Sequence, residues 1–289
     1  MLDTQNSAMV TSLDTLAAHL HQQGKYFEAE VFFKKAFAIR EKELGPKHPD
    51  TIGSLINLAS NISKQGRYLE AEKLFKKVLK VTEKEFGPKH PITAAFFHNH
   101  AENLDALDRY SEAEVLHRRA LEIVEEVSDP EGLEVAKILD SLADNLDSQG
   151  KFSEAEVFDR RALAIWEKVL GPEDPVIADS LDHLAIVVNR QDRQSEAESL
   201  FLRALAIREK ALGPEHPDVA FSLNNLAISL SKQGRYSEAE PFFKRALALR
   251  EKTLDPKDPA TVASLRNLAL NLSRQGKDSE AEEIRNRYQ

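Results

Sequence analysis

The 289-residue sequence contains no cysteine, a single tryptophan and no long apolar run. Without cysteine there is no disulfide framework and no thiolate chemistry, which fits a reducing compartment. Apolar runs such as LAIVV at 184–188 are far too short to span a bilayer. The start, MLDTQNSAMV, lacks the basic and apolar segments of a signal peptide. We therefore expect a cytoplasmic protein that does not bind membranes.

The balance of charge argues against a nucleic-acid partner. The sequence has 39 lysine and arginine residues against 48 aspartate and glutamate residues, which gives a net charge of −9. Binding of nucleic acid needs a basic face. The glycine-rich motifs G-x-x-x-x-G-K-[ST] and G-x-G-x-x-G, which hold nucleotide phosphates, are also absent. No nucleophile has a credible base beside it, so we expect a protein that is not an enzyme and needs no cofactor.

One motif recurs at a fixed interval of 42 residues. The stretch QGRYSEAE at 233–240 is preceded by QDRQSEAE at 191–198 and QGKFSEAE at 149–156. A strict period of this kind predicts a repeat protein, in which each unit buries its apolar face against its neighbours. We interpret the chain, residues 1–289, as a single solenoid of seven repeats without insertion or deletion: 2–43, 44–85, 86–127, 128–169, 170–211, 212–253 and 254–289.

Each repeat is predicted to form two amphipathic helices, since apolar residues recur every three to four positions on both sides of a turn. Glycine ends the first helix in five repeats, where a left-handed residue is expected. Asp108 and Asp192 take its place in the other two. Alanines such as Ala227 and Ala239 are expected where the two helices cross. Ser237 begins a Ser-x-x-Glu pattern, so we expect it to cap the second helix.

These features resemble tetratricopeptide repeats, which usually have a shorter period. The 42-residue length, with LNNLA at 223–227, EAEPFFKRALALREK at 238–252 and GPEHPD at 213–218, resembles the kinesin light chain type of that family. The resemblance covers essentially the whole chain. It implies an all-α, right-handed superhelical solenoid of seven helix-turn-helix repeats, whose first helices line a concave groove that binds a peptide or protein partner.

The resemblance also implies which residues contact a peptide. In the resembling proteins, asparagine at one position of the first helix binds the backbone of an extended peptide, and its amide can both donate and accept. Four repeats have asparagine there: Asn57, Asn99, Asn225 and Asn267.

The neighbouring groove positions change in charge along the chain. Repeats three to five contribute acidic residues: Glu102, Asp105, Asp140, Asp144, Asp147, Asp179 and Asp182. Repeats six and seven contribute basic and apolar residues: Phe221, Ile228, Lys232, Arg266, Leu270 and Arg274. We predict a bipolar partner, with Lys or Arg toward the acidic set and a Leu or aromatic residue with acidic neighbours toward the basic set.

The third repeat is rich in histidine. His98, Glu102 and Asp105 follow one helical face at a spacing that could hold a metal, although a solvated face is the expected interpretation and we expect no metal site. His100 and His117 replace core leucine and phenylalanine, and we expect them to hydrogen-bond each other or water. The single tryptophan, Trp166, is expected to pack on a neighbouring helix.

The function predicted from the sequence is a protein-interaction adaptor that binds an extended peptide or short helix in the groove. Two alternatives stay open. The chain would also fit a sensor or scaffold segment of a larger multidomain signalling protein, or a self-assembling structural scaffold. The sequence leaves the oligomeric state and the identity of the partner open.

Overall fold

The computed structural model describes residues 4–287, and these form fourteen α-helices with no strand among them. Successive helices pair into helix-turn-helix hairpins, as the repeats predict. The helices are α1 Thr4–Gln22, α2 Tyr26–Leu44, α3 Pro49–Lys64, α4 Tyr68–Glu85, α5 Pro91–Asp105, α6 Tyr110–Val127, α7 Leu133–Ser148, α8 Phe152–Leu170, α9 Pro175–Arg190, α10 Gln194–Leu212, α11 Val219–Lys232, α12 Tyr236–Thr253, α13 Pro259–Arg274 and α14 Asp278–Asn286.

The chain divides into two compact units, Met1–Gln149 and Gly150–Gln289. Unit 1 contains α1 to α7 and unit 2 contains α8 to α14. Within each unit, every helix packs against the helix that follows it. The division falls in the turn of the fourth repeat, so the interpretation of residues 1–289 as a single solenoid stays a prediction.

The repeated alanines form the inner layer of each hairpin, as predicted. All fourteen are at most 1% exposed, and in the third repeat Ala101 and Ala113 lie in one buried cluster with Leu104. Their small side chains let two helix backbones approach closely, and the larger residues around them fill the remaining space.

The turn residues also have the predicted conformation. Gly234 has a φ of 77°, and the two aspartates that replace glycine, Asp108 and Asp192, have φ values of 57° and 60°. This left-handed conformation is costly for most side chains but is tolerated by aspartate. The turn geometry is therefore the same in all seven repeats, with or without glycine.

The expected serine caps are wrong. Helix α12 begins at Tyr236, so Ser237 lies inside its first turn, and the residue before the helix, Arg235, makes no side-chain cap. The Ser237 hydroxyl donates instead to the Gln275 side chain of the following repeat, 3.4 Å away. Side-chain caps occur on four of the first helices, where His48, His90, Asp174 and Asp258 each precede a proline.

The recurring Glu-Ala-Glu motif joins successive repeats through hydrogen bonds. In four repeats its second glutamate accepts both from a Gln and from an Arg or Lys of the next repeat. Glu240 accepts from Gln275 at 2.9 Å and from Lys277 at 2.6 Å, and Glu30 accepts from Arg67 at 2.6 Å. Hydrogen bonds from Lys244 and Lys277 lower the pKa of Glu240 to about 2. The motif thus serves the stacking of repeats by polar as well as apolar contacts.

Candidate functional site

A pocket of about 400 Å³ opens between α11 and α13 in unit 2. Its walls combine apolar, amide and basic side chains: Ile228, Phe243 and Leu270; Ser231, Tyr236, Asn267 and Asn271; Lys232 and Arg274. The structure therefore brings together five of the groove residues predicted from repeats six and seven, Asn267 among them, together with buried residues that the sequence did not indicate.

The polar floor of this pocket is held in place by the fold. Asn271 donates to the carbonyl of Tyr236 at 3.0 Å and accepts from the Ser231 hydroxyl at 3.0 Å. Asn267 donates to the side-chain oxygen of Asn224 at 3.0 Å. These bonds fix the amides, so a ligand would meet a preorganised surface.

The rim of the pocket is open and positively charged. Leu270 is 57% exposed. Lys232 and Arg274 are exposed, and neither forms an ion pair with any residue from 4 to 287. An apolar side chain flanked by carboxylates would complement this rim, because such a ligand removes Leu270 from water and neutralises both cations.

Three further predicted residues of unit 2 lie on the two first helices that border this pocket, α11 and α13. Phe221 is 45% exposed, and the guanidinium of Arg208 lies 5.8 Å from the centre of its ring. Arg266 is exposed on α13. Asn225 has a buried side-chain nitrogen without a hydrogen-bond partner.

An acidic pocket of about 300 Å³ lies in unit 1, among α3, α5, α6 and α7. Three predicted carboxylates line it: Glu102, Asp105 and Asp144. Lys64 also lines the pocket, and its ammonium is 3.5 Å from the Glu102 carboxylate. Asp105 accepts from the ring of His117 at 2.8 Å and from the amide of Asn145 at 2.5 Å. The acidic character is thus partly compensated within the fold.

The predicted acidic row is not a continuous open face, which corrects two positions. Asp147 is only 8% exposed and Asp182 only 1%. Asp182 is bound by Arg208 and accepts from the Ser222 hydroxyl at 3.0 Å, while burial raises its pKa. Asp140 is partly exposed and Asp144 is exposed. The placement of Asp147 and Asp182 among solvent-facing groove residues is therefore wrong.

The histidines of the third repeat are more buried than predicted. Burial lowers the pKa of His98 and of His100 to about 4, so both are neutral at pH 7. The expected contact between His100 and His117 is wrong: His100 stacks on Phe75 at 5.1 Å, and His117 pairs with Asp105. Residues 4–287 contain no group of three or more His, Asp or Glu side chains able to hold a metal ion.

The two predicted asparagines of unit 1 each line a pocket, of about 340 Å³ for Asn57 and about 400 Å³ for Asn99. Asn57 lines a pocket with Asp14 and Phe33, and Asn99 lines another with His98 while donating to the carbonyl of Ala95. Trp166 is buried, and its packing on a neighbouring helix stays a prediction.

A second row of asparagines was missed by the sequence interpretation. Asn61, Asn103, Asn145 and Asn271 lie four residues after the first row, are buried, and donate to the carbonyl at the start of the second helix in the preceding repeat. Their 42-residue spacing was the available signal, and their role is structural.

Models of known protein families match the chain along its repeats. Models described as tetratricopeptide repeat match residues 9–50, 51–126, 95–168, 134–210, 189–252 and 222–288. Together these matches span most of the sequence, and the chain belongs to the tetratricopeptide repeat family. No curated protein matches it. No helix within residues 4–287 is both long and apolar enough to cross a membrane.

Solved structures place the chain among kinesin light chain-like repeat proteins. A kinesin light chain-type protein of Podosopora anserina with nearly identical TPR-like repeats is 26% identical over 69% of this chain and 94% of that one, with a TM-score of 0.60. BtubC (BKLC) from P. vanneervenii is 22% identical over 82% of this chain and 89% of that one, with a TM-score of 0.60. NprR in complex with its cognate peptide NprX is 13% identical over 98% and 77%, with a TM-score of 0.67.

Proposed function

We propose that this chain is a non-enzymatic protein-interaction adaptor, which binds an extended peptide or a short helix on the first helices of its repeats. The observation that carries the proposal is the pocket between α11 and α13. It combines an exposed apolar side chain, Leu270, with two cations that have no partner within residues 4–287 and with amides that are already oriented.

The chemistry of the pocket defines its ligand. Lys232 and Arg274 lie one helical turn after Ile228 and Leu270, so each apolar side chain is followed by a cation on the same face. A Leu or aromatic residue with Asp or Glu beside it fits this arrangement. Exposed ion pairs add only about 0.2–1 kcal/mol each, so the apolar contact supplies most of the affinity and the charges supply selectivity.

The comparisons support binding of a peptide without defining its sequence. The structure of NprR contains its cognate peptide on a similar fold, and at 13% identity it supports only that this fold can hold one. The acidic pocket of unit 1 is, in the same proposal, a separate surface for Lys or Arg side chains of a partner. Whether one partner uses both surfaces, as the predicted bipolar peptide would, stays a prediction.

The proposal is tested by selecting 9-residue peptides from a random displayed library against the purified chain. We expect enrichment of peptides with one Leu or aromatic residue next to Asp or Glu. Leu270→Asp with Arg274→Glu removes the apolar contact and reverses one charge, so it should abolish that enrichment. Asp144→Asn, in unit 1, is the control and should keep it.

The absence of any enrichment, or the same enrichment with the double variant, would contradict peptide binding at this pocket. The alternatives of a signalling-protein segment and of a self-assembling scaffold stay predictions. They are tested by the intact mass of the native protein and by light scattering against concentration.

A further inference from the structure

Three repeats have arginine at the same position near the end of the second helix: Arg40, Arg208 and Arg250. Each arginine uses Nη1 to donate to a serine fourteen residues later, on the first helix of the next repeat. These serines are Ser54, Ser222 and Ser264. The three arginines therefore occupy equivalent places between successive hairpins.

Two of these arginines are compensated by carboxylates from the first helix of their own repeat. Arg40 Nη2 lies 2.7 Å from Asp14 Oδ2. Arg208 binds Asp182 through Nη1 and Asp179 through Nη2. A guanidinium held between helices needs such a partner, because removing an unpaired charge from water is costly.

The sixth repeat lacks this partner. The residue equivalent to Asp14 and Asp182 is Asn224, which is buried and whose side-chain oxygen accepts from Asn267. Arg250 donates through Nη1 to the Ala260 carbonyl at 2.9 Å and to Ser264. Among residues 4–287 it forms no ion pair, and its Nη2 and Nε have no protein acceptor.

The nearby carboxylate of Asp258 does not replace the missing partner of Arg250. Burial lowers its pKa, against the effect of Asp258. The Asp258 carboxylate caps α13 by accepting from the Ala260 N–H at 2.8 Å, so it is already engaged.

The equivalent place in the fifth repeat shows that the guanidinium can be reached from outside. Asp179 binds Arg208 although its side chain is 77% exposed. In the sixth repeat the residue equivalent to Asp179 is Phe221, which carries no charge. An external carboxylate can therefore approach Arg250 along the path that Asp179 follows to Arg208.

We infer that a carboxylate of the bound partner takes the place of the acid that the sixth repeat lacks, and pairs with Arg250. This inference rests on the proposed function and assigns one subsite within it, for an Asp or Glu side chain or a chain-terminal carboxylate. Ser264, which accepts from Arg250, lies six residues before Leu270 on α13, a rise of about 9 Å that two to three extended peptide residues span. Unlike the exposed Lys232 and Arg274, Arg250 is half-buried, so its contact is only weakly screened by salt.

The probes for this subsite are three pools of 9-residue peptides with an N-terminal fluorophore and Leu at the centre. The first pool has Glu two residues to each side of Leu and an amidated end, the second has Gln at those two places, and the third is the Gln pool with a free C-terminal carboxylate. All other positions vary among Ala, Ser and Gly. Binding is measured by fluorescence anisotropy in 0.5 M NaCl, where a Debye length of about 4 Å suppresses the exposed cations.

We expect the parent chain to prefer the Glu pool, the free-carboxylate pool or both over the amidated Gln pool by about tenfold, as a charge-assisted hydrogen bond would give. Which pool is preferred identifies the source of the carboxylate. Asn224→Asp supplies the internal acid of the sister repeats, and Arg250→Gln removes the guanidinium. With either change, the ratio of the affinity for the preferred pool to the affinity for the amidated Gln pool should fall close to one. Arg40→Gln, at the equivalent position of the first repeat, should leave it unchanged.

The outcomes separate the inference from the proposed function. Equal binding of the three pools to the parent, or an unchanged preference in both Asn224→Asp and Arg250→Gln, overturns the inference and leaves peptide binding standing. Failure of every pool to bind contradicts both. Circular dichroism of each variant confirms that its helices are intact, and Asn224→Asp tests the subsite even if Arg250→Gln does not fold.

Discussion

The junctions between successive hairpins are of two kinds, although the backbone is the same. In unit 2 the junction after the fifth repeat is polar: Arg208 is buried and binds Ser222 and Asp182. In unit 1, Thr82 and Val124 occupy the position of Arg208 in the second and third repeats. Phe96 and Ile138 occupy the position of Ser222 on the hairpins that follow. All four residues are buried.

The difference shows that these positions change together. In the first and fifth repeats an arginine is accompanied by a serine on the next hairpin and by an acid on its own. In the second and third repeats Thr82 or Val124 is accompanied by a large apolar residue, whereas in the fourth Trp166 is accompanied by Ser180. Changing one member alone would leave a buried charge or a cavity, each worth several kcal/mol. Of the three repeats with the arginine, the sixth has the serine without the acid, and the inferred subsite depends on that difference.

The largest expected effect comes from breaking the polar junction. Arg208→Ala leaves the buried Asp182 carboxylate without its cation, and we expect a loss of about 3–5 kcal/mol in the free energy of unfolding. Lys210→Ala is the control two residues away, because its ion pair with Glu173 is exposed and is worth about 0–1 kcal/mol. Urea denaturation measures both. Equal losses would mean that the buried ion pair of Arg208 contributes no more to stability than the exposed ion pair of Lys210.

The second effect is a dependence of the stability of unit 1 on pH. In the third repeat a titratable ring, His98, occupies the position that Asp182 has in the fifth repeat. The pKa of His98 and of His100 is lowered to about 4 by burial. Glu102, His117, Lys64 and Lys137 also act on His98, and Glu72, Arg109, Lys76 and Glu112 act on His100. Below pH 6.5 the unfolded chain binds protons that the folded chain does not, so stability falls as the pH falls toward 4.

We expect each of these two histidines to lower the free energy of unfolding by about 1–2 kcal/mol when the pH falls from 7 to 5. Urea titrations at the two pH values give the change for the parent and for His98→Gln with His100→Gln. The double variant should lose less on acidification. A parent chain that is equally stable at both pH values would show that the two rings are solvated.

The third effect tests the apolar layer that both kinds of junction share. Ala227 is fully buried where α11 and α12 cross, so Ala227→Leu should overpack the hairpin and cost about 1–3 kcal/mol. Thermal unfolding compares it with Phe221→Leu on the exposed face of the same helix. Identical unfolding of Ala227→Leu and the parent would mean that the crossing face is assigned to the wrong side.

The smallest effect concerns the polar contact that all junctions share. Glu240→Gln weakens the hydrogen bonds to Lys277 and Gln275, and we expect a loss of about 1–2 kcal/mol. Because the folded-state pKa is lowered to about 2, this stabilisation is complete above pH 4.5 and is lost as the pH falls toward 2. Glu238→Gln, whose partner Arg235 belongs to the same helix start, should cost less. A reversed order would assign the repeat contact to the wrong glutamate.

Most of the fold was predictable from the sequence because its determinants are local. The buried alanines follow from the period and from helical spacing, and the left-handed turns follow from glycine or aspartate at one fixed position. The serine caps failed because the helix begins one residue before Ser237, a boundary that the pattern does not fix. The contact between Glu240 and Lys277 joins residues 37 positions apart and became evident only in the folded chain.

The candidate site was predictable only where exposure follows from the helix face alone. Lys232, Leu270 and Arg274 line an open pocket as their spacing suggested. Asp182 shares the same face, yet it is buried and forms an ion pair with Arg208, which lies on another helix. Such a position lies between the core and the groove, and whether its side chain is buried depends on the residue that faces it from the other helix of the hairpin.

The most direct test of this account is a double-mutant cycle on Asn224 and Arg250, measured by urea unfolding. If Arg250 lacks an internal acid, Asn224→Asp should stabilise the parent chain, and it should not stabilise the Arg250→Gln variant. The predicted coupling energy is about 1–3 kcal/mol, as expected for a charge pair in contact. A coupling energy of zero, or destabilisation by Asn224→Asp in both backgrounds, would contradict the claim that the sixth repeat holds a guanidinium in need of a carboxylate.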